Sequence, residues 1–119
     1  MKLKLSCLLI ATALASLTAQ AGVTTQMIDN DAASTGDVLT NGMGTQGQRY
    51  SSLKKVNASN VASLAPAWAF SFGGEKQRGQ EAQPVVHNGK MFITSSYSRI
   101  FALDAATGKK LWKYEYRLP

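Results

Sequence analysis

The stretch "ALDAATGKKLW", Ala102 to Trp112, decides the fold. It sets Ala102, Asp104, Gly108 and Trp112 at its first, third, seventh and eleventh positions, and each has a physical use. Asp104 can bond the backbone of the turn that follows it. Gly108 can take the positive φ that a tight turn needs. Ala102 leaves room for a neighbour. Trp112 carries about 200 Å² of apolar surface and one N–H donor. At about 25 cal/mol per Å², burying it stabilises a fold by at most about 5 kcal/mol.

From Trp112 the chain runs on as "LWKYEY", where Trp112, Tyr114 and Tyr116 alternate with Lys113 and Glu115. That is a strand with one aromatic face. Forty-four residues before Trp112 lies Trp68, in "AWAFSF", Ala67 to Phe72, with the same phase. Between them the pattern predicts four consecutive antiparallel strands, about Ala82–His87, Met91–Ser96, Arg99–Asp104 and Lys110–Glu115. Asn88-Gly89 tolerates the positive φ angles of a type I′ hairpin turn between the first two. Met91-Phe92-Ile93 and Ile100-Phe101-Ala102-Leu103 are apolar on both faces, so the sheet must be covered on both sides. No amphipathic helix long enough to do so is evident, and the natural cover is another sheet of the same kind. A four-stranded unit with an aromatic last strand, repeating at about 44 residues, fits a propeller blade. "AWAFSF" is then the last strand of one blade and "LWKYEY" the last strand of the next. A propeller needs at least about four blades, so one blade is the beginning of something longer. The plainer alternative is a small β protein whose two aromatic strands agree by chance.

The rest of the chain leads up to that unit. Lys2 and Lys4, an apolar run from Leu5 to Leu17 and the small-x-small triplet Ala19-Gln20-Ala21 form the three-part pattern of a signal peptide, residues 1–21, cleaved after Ala21. The apolar run is short for a membrane span. Export would remove Cys7, the only cysteine of the 119 residues, and with it any disulfide or thiolate metal site. The formal charge of +6 would fall to +4, eleven basic residues against seven acidic. No run of Lys or Arg exceeds two, which argues against a nucleic-acid interface. Residues 22–66 read as a lead-in of loops and short helices: one near Thr25–Ala32 capped by Thr24 or Thr25, and one in "VNASNVASLAP" capped by Asn57 and stopped by Pro66. His87, the only histidine, reads as a surface residue beside its turn.

The A-x-D-x-x-x-G-x-x-x-W spacing resembles the tryptophan-docking motif of the eight-bladed quinoprotein dehydrogenases. "QRYSSLKKVN", Gln48 to Asn57, is similar to that family's lead-in. "LAPAWAFSF" is similar to its ring-closing strand, and "RGQEAQPVVHNGKMFITSSYSRIFALDAATGKKLWKY" resembles its first blade. The docking motif also occurs in non-enzymatic propellers; its combination with "QRYSSLKKVN" and "RGQE" points to periplasmic alcohol dehydrogenases that use pyrroloquinoline quinone (PQQ), the ethanol-type enzymes in particular. The resemblance implies an all-β fold in which residues 67–119 supply the ring-closing strand and first blade of an eight-bladed propeller, incomplete in this chain.

It also implies a function. The complete enzyme would oxidise a primary alcohol to an aldehyde, with PQQ as cofactor, Ca²⁺ or a lanthanide as Lewis acid, and a c-type cytochrome as electron acceptor. In the family's R-G-Q-E segment the Glu contacts PQQ at the propeller axis, which here is Glu81. The pyrrole N–H of PQQ can donate to that carboxylate, although the cofactor's own three carboxylates bring a repulsion that has to be relieved. Arg78 and Gln80 are candidates for orienting the loop. The family's vicinal disulfide would follow soon after "YRLP", and its metal ligands and catalytic base come from later blades; none of the acids here is assigned to those roles. The chain by itself is expected to be inactive. A non-catalytic propeller scaffold of the cell envelope and a truncated gene remnant are the rival readings; a Cys-Cys pair and further docking motifs encoded after Pro119 would favour the enzyme.

Overall fold

A computed structural model describes residues 22–73 and 80–116. The expected signal peptide, Arg78 and most of "YRLP" lie outside the described residues. The centre is a four-stranded antiparallel meander in the order β1 (Val85–His87), β2 (Lys90–Ser95), β3 (Arg99–Asp104) and β4 (Lys110–Glu115). The last two strands have the expected bounds, and β2 begins and ends one residue earlier than expected. Asn88 and Gly89 form the β1–β2 turn with φ of 51° and 69°, the two positive angles of a type I′ turn.

β1 is three residues shorter than the sequence suggests. Pro84 would be its next member; like Val86 it would face the Val38 side, away from β2, and there it has no N–H to give. The predicted strand "AWAFSF" forms no ladder among the described residues. A strand needs a partner along its edge, whereas this segment packs through its side chains across the face of the sheet.

That packing divides the sheet into two unlike faces. Phe101 projects from one, with the rings of Phe70 and Phe72 at 5.5 and 5.3 Å. Phe101 and Leu103 are buried there, as is Arg99 on the same side of β3. Ala102 projects from the other face and is opposed by Phe92 on β2 and Trp112 on β4. It is completely buried, and its small side chain lets the Phe92 and Trp112 rings meet across it, 6.0 Å apart. Trp112 remains 45% exposed and Tyr114 53% exposed, so this second face is apolar and open. The expectation of a sheet apolar on both sides holds, and "AWAFSF" is the cover of one of them.

The lead-in is more ordered than its polar composition suggests. Helix α1 spans Thr25–Asp29, with Thr24 Oγ1 accepting from Met27 N at 3.2 Å. A 3₁₀ turn over Asp31–Ala33 takes the place of the expected continuation to Ala32. The Asp31 carboxylate, fully buried, accepts from Leu39 N, Thr40 N and Thr40 Oγ1 at 2.8–3.0 Å. The loop so closed lays Val38 antiparallel to Val86, with hydrogen bonds of 2.9 and 2.8 Å, on the edge of β1 that faces away from β2. Asp37 then reaches His87 Nδ1 at 3.0 Å and accepts from Asn88 N at 3.1 Å. His87 is therefore half-buried and paired, not a simple surface residue. Further on, the second expected helix is a 3₁₀ turn over Val61–Ser63. Asn57 Oδ1 accepts from Ser59 N at 3.0 Å, so Asn57 braces the turn ahead of that element.

Candidate functional site

The two ends of the sheet carry different chemistry. At the end holding the Asn88-Gly89 turn, Asp104 organises the β3–β4 connection. Its Oδ1 accepts from Thr107 Oγ1 at 2.7 Å and from Thr107 N at 2.8 Å. The Thr107 hydroxyl is the chief reason why the Asp104 carboxyl is held below the ordinary aspartate range, followed by the Thr107 backbone; burial opposes them, and the Ala106 backbone and the charge of Lys109 add lesser lowering effects. Gly108 follows with φ of 70°. Trp68 seats itself on this turn, its Nε1 donating to Ala105 O at 3.2 Å. A Cβ on Gly108 would come within 2.5 Å of the indole carbons, so glycine is needed twice over, for its φ and for its missing side chain. The sequence suggested the first reason only. It is Trp68, 44 residues ahead of its counterpart, that uses the docking turn, and Trp112 is left exposed. This end is structural.

The opposite end carries the candidate cofactor residue. There the β2–β3 connection turns through Tyr97 and Ser98, both with positive φ, 64° and 54°. Tyrosine is bulky for that region, so the turn is strained. Arg99, buried at its foot, donates from Nε to Ser96 O at 2.9 Å, and its guanidinium lies 5.7 Å from the centre of the Tyr97 ring. A cleft of about 300 Å³ opens between this turn and the end of "AWAFSF", lined by Phe70, Phe72, Gly73, Gln80, Ser95 and Arg99 among others. Glu81 stands next to the cleft but does not line it. It is exposed and bonded to nothing among the described residues. Gln80 is anchored, with Nε2 donating to Thr94 O at 2.6 Å.

A lone exposed carboxylate is a weak site by itself, but its chemistry fits one demand of PQQ. An unpaired acceptor at the mouth of a blade can take the pyrrole N–H. The described residues contain no group of three or more His, Cys, Asp or Glu side chains able to hold a metal ion. They therefore do not fit a Ca²⁺ or lanthanide site, and no step is assigned to one. Asp31, Asp37 and Asp104 are each committed to the hydrogen bonds described above.

Comparison with known proteins gives the family. Residues 40–119 match the PQQ glucose/ethanol/alcohol dehydrogenase β-propeller domain. The chain is 59% identical to the 1-butanol dehydrogenase (quinone) of Thauera butanivorans, over 97% of this chain and 19% of that protein. It is 58% identical to the quinoprotein ethanol dehydrogenase of Pseudomonas aeruginosa, again over 97% of this chain and 19% of the relative. Among solved structures, it superposes on the quinohemoprotein alcohol dehydrogenase of Comamonas testosteroni with a TM-score of 0.71 and 38% identity, covering 81% of this chain and 14% of that one. The chain thus spans about a fifth of the length of the relatives it matches. The meander is one blade of a PQQ β-propeller, and "AWAFSF" is the segment packed on one of its faces. This chain belongs to the glucose/ethanol/alcohol dehydrogenase family of PQQ β-propellers.

Proposed function

We propose that the chain is the N-terminal part of a periplasmic, PQQ-dependent dehydrogenase that oxidises primary alcohols to aldehydes and passes the electrons to a c-type cytochrome. The observation that carries this reading is the identity of 58–59%, over nearly all of the chain, to relatives named for ethanol and 1-butanol. The signal-peptide pattern of residues 1–21 supports export, and with it the periplasm.

When bound, PQQ supplies the electron-accepting chemistry. The chain's own part is to bind and position. Glu81 offers its carboxylate to the cofactor's N–H, and the Trp68–Gly108 contact fixes the blade that carries Glu81 against the strand preceding it. A Ca²⁺ or lanthanide ion belongs to the family reading, with its ligands on later parts of the enzyme.

The test is reconstitution of the complete dehydrogenase that carries this segment. The purified apo-protein is supplied with PQQ and Ca²⁺, or PQQ and a lanthanide, and dye reduction is followed with ethanol and with 1-butanol. Reduction that requires both PQQ and a primary alcohol is expected. Tight PQQ binding without turnover of any alcohol would leave a scaffold, and the enzyme reading would be wrong.

A further inference from the structure

Residues 80–84 lead into β1 without joining the sheet through their backbone. Continued past Val85 and Phe92, the β1–β2 register would set Pro84 opposite Ile93 and Gln83 opposite Thr94. Val86 exchanges its backbone bonds with Val38, so by alternation it is Gln83, not Pro84, whose N–H would turn to β2, and Gln83 makes no such bond with Thr94. The Thr94 carbonyl is nevertheless satisfied, by the side chain of Gln80. Among the described residues, this is the hydrogen bond that ties 80–84 to the rest of the blade. The residue next to its anchor is Glu81.

We infer that Gln80 is the positioning residue for Glu81: its side-chain amide stands in for the missing ladder donor and holds the segment so that the Glu81 carboxylate meets PQQ. The inference rests on the reading of Glu81 as a cofactor ligand. Its logic is preorganisation. Glu81 is exposed and makes no hydrogen bond of its own, so among the described residues no other hydrogen bond restrains its backbone until Val85 joins the ladder. Any freedom left in residues 80–84 must be given up when the cofactor binds, and that loss subtracts from affinity. The blade itself does not depend on this bond, because its core, its hairpin turn and the Trp68 contact lie elsewhere.

The experiment uses the complete apo-enzyme and PQQ alone, without alcohol or dye, titrated by the absorbance change on binding. Gln80→Met keeps the length of the side chain, adds no charge and removes the donor. The dissociation constant for PQQ is expected to rise about fivefold, with the thermal midpoint of the apo-protein unchanged. In a Glu81→Gln background, which weakens PQQ binding by itself, Gln80→Met is expected to add nothing further. Amide hydrogen exchange, which needs no cofactor, gives a second readout: the amides of Glu81 and Ala82 exchange faster in Gln80→Met, while those of Ile100 to Leu103 do not. An unchanged dissociation constant in Gln80→Met, an equal effect with and without the Glu81 carboxylate, or a lowered thermal midpoint overturns the inference and leaves the reading of Glu81 intact. A Glu81→Gln variant that binds PQQ as the parent does overturns that reading, and the role of Gln80 with it.

Discussion

Trp68 and Gly108 are in contact across 40 residues of chain: the indole packs where a Gly108 side chain would be, and its N–H donates to the carbonyl of Ala105 three residues earlier. This contact joins the segment before the blade to the turn at the blade's base. It predicts that Gly108→Ala costs about 2–4 kcal/mol, from the left-handed φ and from overlap with the indole. In a Trp68→Ala background the overlap is gone and only about 1–2 kcal/mol of backbone strain remains. Thermal unfolding of the four members of the cycle in the complete protein measures both terms. Additive effects would mean that the indole is not seated on Gly108.

Asp31 is a buried carboxylate whose oxygens gather the amides of Leu39 and Thr40 and the Thr40 hydroxyl. Asp31→Ala leaves those donors unpaired in a closed loop, at a cost of about 2–3 kcal/mol. Amide exchange at Leu39 and Thr40 is then expected to quicken by about thirtyfold or more, and Val38 to lose its protection against β1. Unchanged protection at these three amides would show that the lead-in is held by other contacts.

The pH dependence of the docking turn follows from Asp104. Its folded-state carboxyl titrates below the ordinary aspartate range, because the ionised form accepts from Thr107. A lowered folded value means that the turn gains stability above the unfolded value, near 3.9, and loses it as pH falls through the lower folded value. The stability gap between the parent and Asp104→Asn is therefore expected to be constant at neutral pH and to shrink in acid, below about pH 4. Thermal midpoints taken between pH 3 and pH 7 check this. A gap independent of pH would mean that the Thr107 bonds do not depend on the charge.

The open face around Trp112 and Tyr114 bears on residues 22–119 by themselves. With nothing stacked on that face, this piece is expected to associate as its concentration rises, and Trp112→Glu to weaken the association. PQQ-dependent dye reduction is expected to be absent, since the metal ligands and the catalytic base of the family reading lie elsewhere. Sedimentation velocity and a dye assay test the two statements; a dilution-independent monomer or alcohol turnover would contradict them.

Much of the blade was legible because its signals are local. The short apolar run in Arg99–Asp104 and the alternation in Lys110–Glu115 gave the strands their bounds, and Asn88-Gly89 gave the hairpin. The excess length predicted for β1 came from extending the hairpin back from its Asn88-Gly89 turn past Pro84. "AWAFSF" reads as a strand by period, yet laddering depends on a partner edge that a sequence window does not contain. Asp31 and Asp37 were missed for a related reason. Each is an ordinary loop acid until the fold brings it to amides or a histidine eight to fifty residues away. The candidate site was legible only through the resemblance of "RGQE", because an exposed glutamate with no partner has no periodicity or spacing to mark it. The Gln80–Thr94 bond, in contrast, is visible only in the structure.

The most direct measurement is a crystal structure of the complete enzyme with PQQ bound, read for one distance, from the Glu81 carboxylate to the pyrrole nitrogen of the cofactor. The account predicts a hydrogen bond of about 2.7–3.2 Å, with Gln80 still on the Thr94 carbonyl. A Glu81 carboxylate turned to solvent, with PQQ seated beyond its reach, would contradict it.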